Sequence, residues 1–258
     1  MRQLIPSPGP GDPDLAALYA YPSGPWLRGN MVASADGAGS LGGVSAGLSS
    51  DADRQVFALL RALADVIVVG SGTVKDEHYG PARRSKLWSH LRAGRPATPP
   101  IAVVSGRLDL DPASRLFTEA PPDARTIVIT TVKASADLRA GLAQHADVIT
   151  AGEAAVDATA AVRALADRGY QRLLTEGGPH LLAQFAAAGL LDELCLTIGP
   201  LLAGPGAGRI LSGDPFPAGP LPLALAHVLE DDGFLMCRYT AHLCRTRSGT
   251  PPGEPVTA

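Results

Sequence analysis

The run Asp65-Val66-Ile67-Val68-Val69-Gly70-Ser71-Gly72-Thr73 decides the fold of this chain. Four consecutive β-branched residues leave no position for a solvent-facing side chain, so the segment reads as a strand buried on both faces, the pattern of a central parallel strand. It empties into a glycine-rich turn. Upstream, Ser50 with Asp53 three residues on marks a helix start, and Val56, Leu59, Leu60 and Leu63 follow at i, i+3, i+4 and i+7 on one apolar face. A helix feeding a buried strand is one unit of an α/β sheet.

Working outward, the same alternation continues in both directions. Strands are expected within Trp26–Ala33 and at Ile101–Val104, Thr126–Thr130, Asp147–Thr150 and Gln171–Thr175, with helices near Ala134–Ala143 and Val156–Asp167. Lys75–Pro100 is polar and reads as an irregular loop. After Gly177-Gly178-Pro179, a helix should begin, with Pro at an early position and Leu181, Leu182, Phe185 and Ala186 on one side. The chain then changes character. Leu194–Ile198, Leu223–Leu229 and Phe234–Tyr239 read as strands, and Asp232-Gly233 between the last two predicts a tight hairpin. The expected fold class is α/β, with a mostly parallel central sheet finished by a C-terminal antiparallel hairpin.

Composition bounds the function. With 46% apolar residues over 258 positions the chain can bury a large core, and one domain over 25–243 is expected. The Pro/Gly-rich residues 1–24 read as a loosely attached N-terminal arm and 244–258 as a C-terminal tail. A net charge of −3 from scattered charges speaks against nucleic acid or an anionic membrane as partner. No stretch approaches the roughly 20 apolar residues needed to span a bilayer, and the first residues lack a signal-peptide core, so a cytoplasmic protein is expected. Cys195, Cys237 and Cys244 have neither a disulfide pattern nor zinc-ligand spacing, and the six histidines form no metal motif. No metal site is expected.

Ligands of open parallel sheets bind beyond the carboxyl ends of the strands, so the turns after strands hold the candidate chemistry. Gly70-Ser71-Gly72-Thr73 and Gly177-Gly178 let backbone N–H groups approach an anion, and the helix at Pro179 adds a positive dipole end. Either loop alone is also ordinary turn chemistry; two of them after two central strands suit a pyrophosphate. The Rossmann fingerprint and the P-loop are both absent. Ser105 and Arg107 offer a hydroxyl and a guanidinium for a 2′-phosphate. Asp36, between a strand and Gly37, is by residue type a turn former, or else an acid/base facing the cleft. Glu176 either caps the following helix or meets substrate.

The ordered set Arg28–Gly37, Leu60–Val74, Thr175-Glu176-Gly177-Gly178-Pro179, and Leu191-Asp192-Glu193-Leu194 with Pro200 and Gly204 resembles the pyrimidine reductases of riboflavin biosynthesis, from about Trp26 to Tyr239. The resemblance implies a three-layer, dihydrofolate-reductase-like fold, NADPH as cofactor and reduction of a pyrimidine ribotide, with homodimers paired through the C-terminal strands. It places Gly70, Gly72, Thr73, Ser105, Arg107, Gly177 and Gly178 around the cofactor and Thr130 near its adenosine end. It assigns Asp36 and Glu176 to catalysis, and Asn30, Ser34, Arg61 and Arg83 to the substrate. Many bacterial members carry Lys where this chain has Asn30. The family's usual Asp-Asp-Pro-x-Leu…Arg segment is replaced by Lys75-Asp76-Glu77-His78-Tyr79-Gly80-Pro81-Ala82-Arg83. The motifs of the zinc deaminase often fused to this domain are missing. A dihydrofolate or dihydropterin reductase, and a non-catalytic NADPH-binding regulator, are the two rival expectations.

Overall fold

Val66 and Val68 pack into one apolar layer while Ile67 and Val69 pack into the other, so the deciding strand is buried on both faces, as its composition requires. The computed structural model describes residues 1–7 and 11–241. Its strands are β1 (Arg2–Ile5), β2 (Trp26–Ser34), β3 (Val66–Gly70), β4 (Ile101–Val104), β5 (Ile127–Thr130), β6 (Asp147–Thr150), β7 (Arg172–Thr175), β8 (Glu193–Gly199), β9 (Leu223–Asp231) and β10 (Phe234–Ala241). They form a single sheet in the order β1-β9-β10-β8-β2-β7-β3-β4-β5-β6. Every pair from β8 to β6 in that order is parallel, and β8–β10, β10–β9 and β9–β1 are antiparallel. The expected fold class is the one observed.

Helices α1 (Leu15–Leu18), α2 (Asp51–Leu63), α3 (Ser71–Asp76), α4 (Arg115–Thr118), α5 (Ala136–Ala143), α6 (Ala158–Ala166) and α7 (Pro179–Ala187) complete the layers. Val56, Leu59 and Leu60 of α2 cover Ile67, Val69, Val103, Val128 and Leu174 on one face. Ala161 and Leu165 of α6, with Leu181 and Phe185 of α7, cover Val66, Val68, Ala102, Ile129 and Leu173 on the other. The Ser50 hydroxyl accepts from Asp53 N at 3.1 Å and starts α2, a cap worth about 1 kcal/mol. At the other end Arg92 Nη1 donates to Ala64 O at 2.7 Å and Arg95 Nη2 to Ala62 O at 3.0 Å, which satisfies carbonyls the helix leaves open. The β9–β10 hairpin turns through Asp232 at φ 48° and Gly233 at φ 82°, the left-handed pair that a two-residue loop needs. Among the described residues no helix is long and apolar enough to cross a membrane.

Three expectations change. The N-terminal arm is not loosely attached: Arg2 and Gln3 pair with Glu230 and Leu229 of β9, Asp14 caps α1, and Tyr19 is buried. A short apolar run found the open edge of β9, which a reading based on Pro and Gly content misses. Buried Arg28 of β2 binds both Tyr19 O, at 2.8 Å, and Glu193, at 2.5 Å, and so fastens this segment to the sheet. Burial works to raise the Glu193 carboxyl, but Arg28 and Arg238 outweigh it and hold it below the usual range. Second, the Ser71-Gly72-Thr73 turn continues as helix α3, which takes Lys75 and Asp76 out of the predicted loop. Third, the four-residue α4, too short to show a helical period, was not foreseen. The C-terminal tail 244–258 lies outside the described residues.

Candidate active site

The parallel arrangement brings the carboxyl ends of β2, β3, β4, β5, β7 and β8 to one edge. There Gly70 N donates to Gly177 O at 3.0 Å, locking the β3–α3 turn against the β7–α7 turn. Gly70 caps α3 and Gly178 caps α7, and neither helix start has a side-chain cap. Two positive helix ends therefore meet at a single seam. The seam is tight: a Cβ on Gly178 would lie 2.7 Å from Thr73 Oγ1, and Gly177 adopts φ 102°, which disfavours a side chain. The structure thus brings Gly70, Gly72, Thr73, Gly177 and Gly178 together. Register extends the row, because Gly70 pairs with Val104 and Val104 with Ile129, placing Ser105 and Thr130 next along the edge. Thr130 is fully buried and its hydroxyl has no partner among the described residues, and Arg107 stands exposed beyond Ser105.

A cleft of about 1000 Å³ opens along this seam. Asn30, Arg61, Thr73, Arg83, Glu176, Gly177 and Gly178 of the expected site line it. At its inner wall the Glu176 carboxylate takes a bidentate pair from Arg61, Nε to Oε1 at 2.7 Å and Nη2 to Oε2 at 2.6 Å. Tyr79 Oη also donates to Oε2, at 2.7 Å. Burial works against the Arg61 charge, but Glu176 and Tyr79 outweigh it and keep the guanidinium protonated. Burial, then the Glu176 charge, push the Tyr79 hydroxyl well above its ordinary range, so it stays a donor. At the rim, Arg83, Arg84 and Arg209 have no ion pair among the described residues, whereas Arg115 and Glu119 pair with each other.

Two candidates, Asp36 and Ser34, are not among the residues that line the cleft. Asp36 does not line the cleft; its carboxylate accepts from Ser34 Oγ, from Ala203 N at 3.0 Å and from Gly204 N at 2.9 Å. The Ser34 hydroxyl, followed by those two backbone N–H groups, lowers its pKa to about 2, so at neutral pH it has no proton to give. It is a turn residue that anchors the loop after β8. Ser34, expected to bind substrate, is buried, donates to Asp36 and accepts from Ala38 N at 2.9 Å, so its hydroxyl is spent on the turn. Glu176 neither caps α7 nor stands free, and Arg61 is its partner rather than an unpaired substrate ligand. The sequence reading missed Tyr79, Arg84 and Arg209. Tyr79 lay within the segment already singled out as unusual, which was the available clue.

A glycine-lined seam between two helix starts, bordering a polar cleft at the carboxyl edge of a parallel sheet, is where α/β proteins of this class bind small molecules. The chain belongs to the RibD C-terminal domain family, which matches residues 25–234. It is 28% identical over 159 residues to the 2,5-diamino-6-ribosylamino-4(3H)-pyrimidinone 5′-phosphate reductase of Archaeoglobus fulgidus, covering 61% of this chain and 71% of that protein. It is also 28% identical over 187 residues to the reductase of the same name from Methanothermobacter thermautotrophicus, with 72% and 83% covered. Among solved structures it is similar to a pyrimidine reductase-like protein from Corynebacterium diphtheriae, with TM-score 0.77, 27% identity, and coverage of 88% of this chain and 98% of that one.

Proposed function

We propose that this protein is an NADPH-dependent reductase that converts the ribosylamino group of a pyrimidine ribotide into a ribitylamino group in riboflavin biosynthesis. One observation carries the reading. Gly177 and Gly178 belong to the glycine seam and also line the cleft with Asn30, Arg61 and Glu176, so a cofactor held at the seam would meet a substrate in the cleft at a shared turn. The archaeal relatives are named for this reduction.

The residues present fit the cofactor. At Gly178 a Cβ would crowd the seam against Thr73 Oγ1, α3 and α7 start without side-chain caps, and the buried Thr130 hydroxyl has no partner among the described residues. Gly70, Gly72, Thr73, Gly177 and Gly178 would hold the pyrophosphate, Thr130 the adenosine end, and Ser105 with Arg107 the 2′-phosphate. When bound, NADPH supplies the hydride, delivered to C1′ of the ring-opened ribosylamino unit. The protein's own part is positioning. Asn30 offers an uncharged amide to the pyrimidine, Glu176 offers a carboxylate acceptor held by Arg61, and Arg83, Arg84 and Arg209 offer unpaired charge to the ribotide phosphate. The exposed Leu225, with half-buried Leu196, Ile198 and Leu235 on β8–β10, supports pairing into a homodimer.

The deciding experiment is stopped-flow oxidation of NADPH with the diaminopyrimidinone ribotide, the aminopyrimidinedione ribotide and dihydrofolate in parallel. Turnover with one ribotide and not with dihydrofolate is expected. Turnover with dihydrofolate alone makes the protein a pterin reductase, and binding of NADPH without any turnover makes it a regulator.

A further inference from the structure

The Glu176 carboxylate offers about four lone-pair positions, and three are filled from within the protein, two by Arg61 and one by the Tyr79 hydroxyl. One acceptor position remains, on Oε1. The donors are themselves fixed. The Arg61 guanidinium lies over the Phe57 ring at 4.2 Å and near the Tyr79 ring at 5.7 Å, which sets its plane. Tyr79 is carried by a turn that leaves α3, with His78 at φ 49° and Tyr79 N donating to Val74 O at 3.0 Å. Helix α3 begins at Gly70, in the seam. The Tyr79 hydroxyl therefore ties the helix that borders the seam to the carboxylate that borders the cleft.

We propose that Tyr79 is a positioning residue: it locks Glu176 into a single orientation with one open acceptor, which selects a substrate presenting one N–H or O–H donor at that point. This rests on the cleft being the substrate site. The segment Lys75–Arg83 supplies, through Tyr79, a hydroxyl donor at the inner wall. Without the hydroxyl, an acceptor position opens on Oε2, the second on the carboxylate, which is then held from the Arg61 side alone. The reacting carbon would then be presented less often in line with the hydride, which lowers kcat more than it raises KM.

The test is a cycle of Tyr79→Phe, Glu176→Gln and the double variant in the full chain, read by ribotide turnover and by NADPH affinity. Tyr79→Phe should lower kcat about 10-fold, the scale of one hydrogen bond to a charged group, with ribotide KM changed less than about threefold and NADPH affinity within about twofold. In the Glu176→Gln background the same substitution should cost less than about twofold, because the group it acts through is gone. Equal factors in both backgrounds, full kcat in Tyr79→Phe, or a matched loss of NADPH affinity would each overturn the proposal. A readout independent of turnover separates its failure from that of the proposed function. In alkaline absorbance titrations, with Tyr79→Phe as the blank, Glu176→Gln should bring Tyr79 ionisation to lower pH, since the Glu176 charge helps to raise it. An unmoved titration refutes the pairing even in a chain that reduces neither ribotide.

Discussion

Replacing Gly178 by Ala tests the seam where it is tightest. The backbone there is at φ −67°, a value open to any residue, so the perturbation is set by where the added methyl group sits. That methyl would sit 2.7 Å from Thr73 Oγ1, under the 3.0 Å that Cβ contacts essentially never breach. Thr73 is β-branched and lies in the first turn of α3, where its χ1 has few alternatives. In the free protein the clash relaxes by turning Oγ1 away or by opening the two turns slightly. In the proposed NADPH complex neither relaxation would be open, because the same hydroxyl and the same turns would have to face the pyrophosphate. The overpacking cost of about 1–3 kcal/mol therefore falls mainly on the complex. At 1.4 kcal/mol per tenfold, this weakens NADPH binding by about 5- to 150-fold. Isothermal calorimetry measures it directly, alongside the thermal midpoint of the free chain. Adding Thr73→Ala removes the clashing oxygen and should recover part of the affinity lost in Gly178→Ala. An unchanged Kd in Gly178→Ala, with an unchanged midpoint, would refute the account of the seam.

Other substitutions address the remaining roles. Asp36→Asn should keep turnover within about threefold and NADPH affinity unchanged, since the carboxylate is spent on Ser34, Ala203 and Gly204; a loss on the order of 10²-fold, the scale of lost acid/base help, would return Asp36 to the reaction. Arg107→Ala should weaken NADPH by about 10-fold or more and leave NADH binding unchanged, the difference being one charge-assisted phosphate contact. His227 is buried, and burial followed by the Arg238 charge lowers its pKa to about 4 from 6.5. The unfolded chain then binds a proton that the folded chain refuses between those values. Stability is therefore retained above about pH 6.5 and falls toward pH 4, by about 3 kcal/mol from this group. Urea midpoints across that window should slope less in His227→Phe, which keeps a ring against Tyr19; identical slopes would exclude His227 as the source.

What the chain determines locally was legible without coordinates. The β-branched run Val66–Val69 is apolar at every position, so it can only be a strand covered on both faces. Ser50 and Asp53 mark a helix start by spacing alone, Asp232-Gly233 forces a left-handed turn, and paired glycines after β3 and β7 mark where a backbone can approach an anion. Each of these is settled within a window of a few residues. The partners of charged groups are settled across the whole chain, by which surfaces the sheet brings together. Asp36 and Gly204 are 168 residues apart, Arg61 and Glu176 115 apart, and Arg2 and Glu230 228 apart. No local pattern encodes such meetings. That is why Asp36, a turn former by residue type, is assigned to catalysis through the resemblance, Arg61 is assigned to the substrate, and residues 1–24 read as a loose arm. A carboxylate has the same letter whether it is free or fully engaged; only the parallel order β8-β2-β7-β3 decided that Glu176 lies against Arg61 and Tyr79 at the cleft while Asp36 is consumed by the loop after β8.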